Sequence, residues 1–388
     1  MSRESPFRKI LPWIMFLSLM FFINYTGRSI IGPLLVYVEQ DLGLDHSQST
    51  GLLMYLSIGF SVCLIFTGFV PARIKPRLVV ALSLGGMGVM LILLSLCESQ
   101  LTLGLGLAGC GVFAGFYFTS AMASMGSVVS RADWSKAISI HELGPACSFI
   151  VAPLIAEAGL AITGSWRGAL QLWGIFALCV TALWVIFVRQ GSQKSDPPSL
   201  HGIKELLGQP MVWFFGWCFA FGIAGEFTPY NVMSLHLTSD RGLSVDDANH
   251  LLSVTRIAAP FAVLLGGSLA PRLGTFKTLR LFFALHGVCL IVMGLPVFAV
   301  ALPAMFIQAV MPSFAWPAML SILPEHYPVK IHPTILSMTM PVAVYFGTGL
   351  APKVLGIIGD HFSFSIGFVI LGCLSLLTVP FCSILKKK

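Results

Sequence analysis

Arg28, His141, Glu142, Glu226, Arg256 and Lys353 stand inside stretches of sequence that are otherwise apolar. Their chemistry is distinct. A guanidinium offers a planar fork that matches a carboxylate with two parallel hydrogen bonds. A histidine changes charge near neutral pH, and a carboxylate in apolar surroundings can be pushed toward that range. An ionised group at bilayer depth costs roughly 3 kcal/mol on insertion scales, so each of these residues needs a reason. Arg28 lies near the centre of a run that begins at Ile10, too deep to reach the interface, and reads as a substrate or gating group or as half of a structural bridge. Glu226 sits at similar depth in a later run and Arg256 near the centre of the next. Lys353 lies close to the end of its run, where snorkelling to the interface is the competing explanation. His141 and Glu142 read as a proton relay or as an interhelical hydrogen bond near one rim.

These groups need helices to carry them. The 388 residues are 56% hydrophobic and only 10% charged, and the mean hydropathy is +0.88. Soluble domains carry about a quarter charged residues, so a soluble enzyme or nucleic-acid-binding protein is excluded. Apolar runs long enough to cross a bilayer recur throughout. Twelve spans are predicted, over 10–38, 47–71, 78–98, 101–130, 134–163, 165–189, 209–237, 244–272, 278–296, 298–325, 330–359 and 363–385. The first is too long for a signal-peptide core and lacks a small-residue cleavage site, so it is expected to stay.

The net charge of +7 is an orientation signal. Of the 23 Lys and Arg, Arg28, Arg256 and Lys353 lie in spans and only Arg167 and Arg241 fall on one side; the rest gather on the side of the N-terminus. By the positive-inside rule both termini are cytoplasmic. The nine cysteines fall in predicted spans without metal-ligand or CxxC spacing and read as buried free thiols. No cofactor is expected. The sequon at Asn24 lies at membrane depth, where it cannot be glycosylated.

The one long polar interruption, 190–208, separates an N-terminal bundle over 1–189 from a C-terminal bundle over 209–388. The halves align at an offset of 199 residues without gaps. "DLGL" from Asp41 falls on "DRGL" from Asp240, and Ala152-Pro153 on Ala351-Pro352. "GFVPARI" at 68–74 falls on "GSLAPRL" at 267–273. This is the parallel duplication of one class of transporter. The chain resembles the major facilitator superfamily, whose Gly-x-Leu-Ala-Asp-Arg-x-Gly loop between spans two and three appears twice in imperfect form, with Ala72 and Pro271 at the acidic position. The fold expected is an all-α membrane protein of twelve transmembrane helices in two pseudo-symmetric six-helix bundles.

The resemblance implies a central cavity lined by spans 1, 4, 7 and 10 and their neighbours. It places Asn24, Tyr25 and Arg28 of span 1, Tyr117 of span 4, Tyr230 and Asn231 of span 7, Arg256 of span 8, Trp316 of span 10 (the repeat position of Tyr117), and Tyr345 and Lys353 of span 11 as candidate substrate ligands. Glu226, Glu142 and His141 are the candidates for proton coupling. Glu226 repeats Gly27, so Arg28 and Glu226 are expected at matching depth in opposite halves. Arg256 resembles the arginine with which monocarboxylate transporters and oxalate–formate exchangers grip carboxylates, and the latter also carry a lysine in span 11. The expected function is secondary transport of a small organic anion, driven by proton symport or exchange, in a bacterial inner membrane, by a monomer. Efflux of lipophilic drug-like or siderophore-like compounds is the alternative. A receptor or membrane enzyme finds no support, since GxSxG, HExxH and Walker motifs are missing.

Overall fold

The computed structural model describes residues 7–67, 73–130, 133–189, 203–263, 273–328 and 331–384. Most of both copies of the loop motif (68–72 and 264–272), the linker up to 202, and Arg3, Arg131, Lys194, Arg272, Lys330 and Lys386 to Lys388 lie outside the described residues.

The chain is an all-α protein of twelve helical spans in two pseudo-symmetric bundles. Spans 1 to 6 run over Phe7–Ser29 with Ile31–Leu42, His46–Thr67, Pro76–Leu94, Gln100–Gly126, Trp134–Thr163 and Trp166–Phe187. A short helix, Ile203–Leu207, precedes span 7 at Pro210–Ser239. Span 8 begins as Val245–Thr255; spans 9 and 10 are Thr275–Met293 and Phe298–His326. Span 11 is built from His332–Val344, a π-helical stretch Tyr345–Leu350 and Ala351–His361, and span 12 is Phe364–Ile384. Among the described residues, eleven helices are long and apolar enough to cross a membrane. Span 8 is not among them: its helix opens into a turn at Arg256, and 264–272 lie outside the described residues. Pro260 lacks the N–H that would bond the Arg256 carbonyl, which instead accepts from Ala259. The continuous span predicted over 244–272 is corrected accordingly.

The duplication is visible in detail at the turns. Spans 1 and 7 end on Gly43 and Gly242, both with left-handed φ (61° and 68°), a conformation that costs glycine little. Asp45 and Ser244, again 199 apart, then cap spans 2 and 8: Asp45 accepts from the Gln48 N–H and Ser244 from the Asp247 N–H. Asp41 and its repeat Asp240 tie span 1 to span 6 and span 7 to span 12. Asp41 accepts from Trp166 Nε1 and Arg167, and Asp240 from the N–H and hydroxyl of Ser365 at 2.7 and 2.8 Å. The two arginines on the sparsely charged side have the same task in each half. Arg167 donates to the Cys97 carbonyl behind span 3, and Arg241 to the carbonyls of Met293, Leu295 and Pro296 behind span 9. Each covers the unsatisfied end of a helix. Span 3 stops at Leu94, so Cys97 belongs to this turn and not to the span in which the sequence reading put it.

The halves meet along three lines. Spans 1 and 7 cross where a Cβ on Gly32 would come within 2.9 Å of the Asn231 Cα, and these two positions are themselves 199 apart. The crossing therefore lies on the pseudo-twofold axis. Spans 5 and 8 pack together, as do spans 2 and 11, while spans 4 and 10 pack chiefly within their own halves.

Candidate functional site

Below the crossing of spans 1 and 7 the helices enclose a cavity lined by Arg28, Ser29, Leu53, Leu56, Phe60, Phe227, Asn231 and Thr348. Its volume is about 20 Å³, room for one water. Helix irregularities aim these groups. Span 1 is interrupted at Ile30, three residues before Pro33, which re-aims the end carrying Arg28 and Ser29. The π-helical stretch of span 11 turns Thr348 inward, where it shares a 2.7 Å hydrogen bond with Ser57 of span 2.

Arg28 is the central charge. Its guanidinium carbon lies 4.1 Å from the Tyr25 ring centroid and 4.8 Å from that of Phe60. Two π faces thus cover it. Its Nε is buried without a hydrogen-bond partner, and Arg28 makes no ion pair within 4 Å among the described residues. The matched depth of Arg28 and Glu226 does not become a direct pair. Residue spacing fixes height along a helix but leaves the facing side chain to the helix rotation. Glu226 turns toward span 10, where its carboxylate accepts from Trp316 Nε1 at 2.9 Å.

Arg256 is fully buried at the opened turn of span 8. Its fork faces the carbonyls of Glu226 at 3.4 Å and Ala309 at 3.5 Å, and its guanidinium carbon lies 5.2 and 5.4 Å from the rings of Phe149 and Tyr230. Glu226 lies within electrostatic range of both arginines. The Tyr230 hydroxyl is buried with no partner among the described residues.

Behind Glu226 stands a polar cluster that inspection of charged residues missed. Pro229 removes the N–H that would bond the Gly225 carbonyl. That carbonyl accepts instead from Gln308 Nε2 of span 10 at 2.7 Å and from His286 Nε2 of span 9 at 3.0 Å. Since a carbonyl only accepts, the His286 proton is on Nε2. The available signal was the proline. Pro33, Pro145, Pro229, Pro260 and Pro352 each follow by four residues a position at the site or its relay: Ser29, His141, Gly225, Arg256 and Thr348.

The remaining candidates separate. Asn24 donates to Ser83 of span 3 at 3.0 Å, inside its own half. Tyr117 donates to the Leu17 carbonyl at 2.6 Å and lies 3.3 Å from His141 Nε2, with the Phe21 ring stacked on both. His141 is fully buried and its Nδ1 is 3.1 Å from Glu142 Oε1. Ser18 covers the carbonyls of Ile140 and His141, the latter freed by Pro145. Tyr345 opens the π-helical stretch that brings Thr348 to the cavity. Lys353 is away from the cavity: Nζ donates to the Ser47 carbonyl at 2.5 Å, and its stem lies beside Gly51.

Lys353 belongs to a closure at the end that holds the 43–45 and 240–244 turns. Asp360 of span 11 accepts from the backbone N–H groups of His46 and Ser47, both at 2.8 Å, capping span 2 from the opposite half. His250 of span 8 meets Glu157 of span 5 at 2.7 Å, and Tyr37 lies 3.3 Å from Asp246. The cavity is sealed on this side by contacts between halves.

Known proteins give the context. The family model described as Major Facilitator Superfamily matches residues 17–307 and 218–387. The uncharacterized MFS-type transporter YceJ of Bacillus subtilis is 22% identical over 365 residues, covering 92% of both chains. An uncharacterized MFS-type transporter of Yersinia pestis is 24% identical over 367 residues, covering 92% of this chain and 91% of its own. The solved structure of a bacterial homolog of the human lysosomal transporter Spinster, inward-facing and unoccupied, aligns over 98% of this chain and 96% of that one with a TM-score of 0.77 and 16% identity. A D-xylose–proton symporter aligns over 96% and 97% with a TM-score of 0.74 and 14% identity. The chain belongs to the major facilitator superfamily, a multi-pass membrane transporter and not an enzyme.

Proposed function

We propose that the protein is a secondary transporter of a small organic anion, working by alternating access between an N-terminal bundle over 1–189 and a C-terminal bundle over 209–388. The observation that carries this is Arg28, a half-buried guanidinium that lines the cavity with no ion-pair partner within 4 Å among the described residues. A protein that keeps such a cation without a contact partner at a cavity has a use for an anion. Glu226, held by Trp316 and within range of both arginines, is the proton-coupling group. Protonation would weaken its hold on Arg256 and bias the two halves. His141 and Glu142, joined to Tyr117 between spans 4 and 5, form a second proton-accepting pair.

With the termini cytoplasmic, the sealed end is the outer one, and the cavity would release toward the cytoplasm. The bacterial relatives and the basic bias favour the inner membrane, with the monomer as the working unit. Thermal unfolding of the purified protein in small carboxylates, phosphates and sulfonates, repeated with Arg28→Ala, tests the reading. Stabilisation by an anion class that Arg28→Ala loses is the expected result. Stabilisation by neutral or cationic lipophilic compounds alone would favour efflux instead. Glu226→Gln should abolish pH-driven uptake in proteoliposomes while exchange of substrate continues; intact pH-driven uptake would remove Glu226 from the coupling.

A further inference from the structure

We infer that the cargo is a monoanion with an apolar body, bound through a single carboxylate or equivalent group at Arg28. This rests on the anion reading above and narrows it.

The first argument is charge balance. Arg28 is the one charged side chain among the residues that line the cavity; Glu226 and Arg256 stand behind it, with Glu142 in electrostatic range of Glu226. Glu226 lies in electrostatic range of both arginines and forms an ion pair within 4 Å with neither; Arg256 in addition has the Glu226 and Ala309 carbonyls at its fork. The cavity wall therefore presents a single cation, without a contact partner among the described residues. A monoanion cancels it. A dianion would bring a second buried charge with no cation to meet it.

The second argument is the shape of the chemistry around Arg28. The rings of Tyr25 and Phe60 cover the guanidinium, so its edge is the side left for a carboxylate. Ser29, Asn231 and Thr348 supply the polar groups of the cavity. The rest of the wall is Leu53, Leu56, Phe60 and Phe227. In this conformation the cavity has room for one water, so the body of the cargo enters as the two halves part, and a substituent next to the bound carboxylate then meets aliphatic and aromatic carbon. Sugars and polyhydroxylated acids would leave their hydroxyls unpaired there. A short acid such as formate would satisfy the guanidinium and leave the apolar wall unused.

Melting temperatures of the full-length purified protein, measured against benzoate, phenylacetate, benzamide, formate, succinate and phthalate, test the inference. Benzoate and phenylacetate should stabilise in a concentration-dependent way. Benzamide, which keeps the ring and loses the charge, should not, and succinate and phthalate should fall well short. Arg28→Lys, which keeps the charge and loses the fork, should weaken benzoate by about tenfold while the unliganded melt stays in place. Equilibrium dialysis with radiolabelled benzoate reads the same affinity if a shift is masked by detergent. Leu53→Asn should weaken phenylacetate by about fivefold relative to formate. Succinate or phthalate matching benzoate, or formate matching phenylacetate, would overturn the inference and leave the anion reading intact. Failure of every anion, in both melting and dialysis, would overturn both.

Discussion

The two central arginines carry the same charge and opposite energetics. Arg256 is fully buried with two carbonyls at its fork, while Arg28 is half-buried beside rings and has an unpartnered Nε. Substituting each by Met keeps most of the volume and removes the charge. We predict that Arg256→Met lowers stability, by about 1–3 kcal/mol, because Glu226 loses its compensating cation. Arg28→Met should raise the melting temperature, because a half-buried charge with no contact partner is removed, and should also remove the response to anions. Thermal unfolding of both variants checks this; equal destabilisation by the two would mean that Arg28 is structurally paired after all. A second residue-scale prediction lies at the rim. Burial would raise the Asp240 carboxyl, but the His236 ring and the two Ser365 donors outweigh it and hold the group down at about 2. Its ordinary value is about 4, so the stabilisation is fully present above that and is lost as the pH falls through about 2. Discounted for partial exposure it is about 1 kcal/mol. Asp240→Asn should therefore lower the melting temperature at pH 6 and flatten its acid limb; a limb unchanged in Asp240→Asn would assign it to other carboxylates. At this scale the sequence was legible for which side chains are charged and at what depth. It was silent on partners, because Trp316 reaches Glu226, and Lys353 reaches Ser47, through helix rotation and tertiary packing.

At the scale of the helices, prolines position the site. At Gly225 and His141 the carbonyl freed by the proline is covered by another span, which ties the kink to its neighbours. The Gly225 carbonyl gives the cleanest case, since Pro229 frees it and Gln308 and His286 bond it. We predict that Gln308→Met alone costs about 1–2 kcal/mol, from a carbonyl left short of a donor. In a Pro229→Ala background residue 229 regains its N–H, the helix can bond itself, and the same substitution should cost much less. Chemical or thermal unfolding of the four proteins gives the coupling, expected at about 1 kcal/mol. Strict additivity would mean that the proline and the glutamine are unrelated. The duplication was readable in the sequence because its fixed points are local: Gly43 and Gly242 need a left-handed φ, and Asp45 and Ser244 need a capping oxygen. The turn at Arg256 and the π-helical stretch at Tyr345–Leu350 were hidden, since hydropathy does not register the loss of single backbone hydrogen bonds.

For the whole molecule, the decisive contacts are those that join the halves at one end. A repeat offset says only that the halves are alike and does not name the contacts that join them. The sealed end shows where the difference is made. Asp360 gives each carboxylate oxygen to a free N–H at the start of span 2, where the helix dipole favours a negative charge, while Lys353 from the same helix takes the Ser47 carbonyl. Glu157 and His250 form the second clasp, between spans 5 and 8. The crossing at Gly32 and Asn231 lies on the pseudo-axis and can serve as a pivot in both states. Losing the Asp360 clasp should therefore release the end without unfolding either half. Asp360→Ala is expected to cost the closed state about 2 kcal/mol, a shift of roughly thirtyfold in its population relative to the open one. Leu96 and Leu295, exposed and 199 residues apart behind spans 3 and 9, report on that end from the two halves. Spin labels at these positions, in a background with the native cysteines replaced, should give a longer distance distribution in Asp360→Ala than in the parent. Addition of His250→Ala should lengthen it further, because the second clasp acts on a different pair of spans. An unchanged distribution in the double variant would place the closing energy in the apolar packing of spans 2 and 11, and the polar clasps would then be consequences of closure and not its cause.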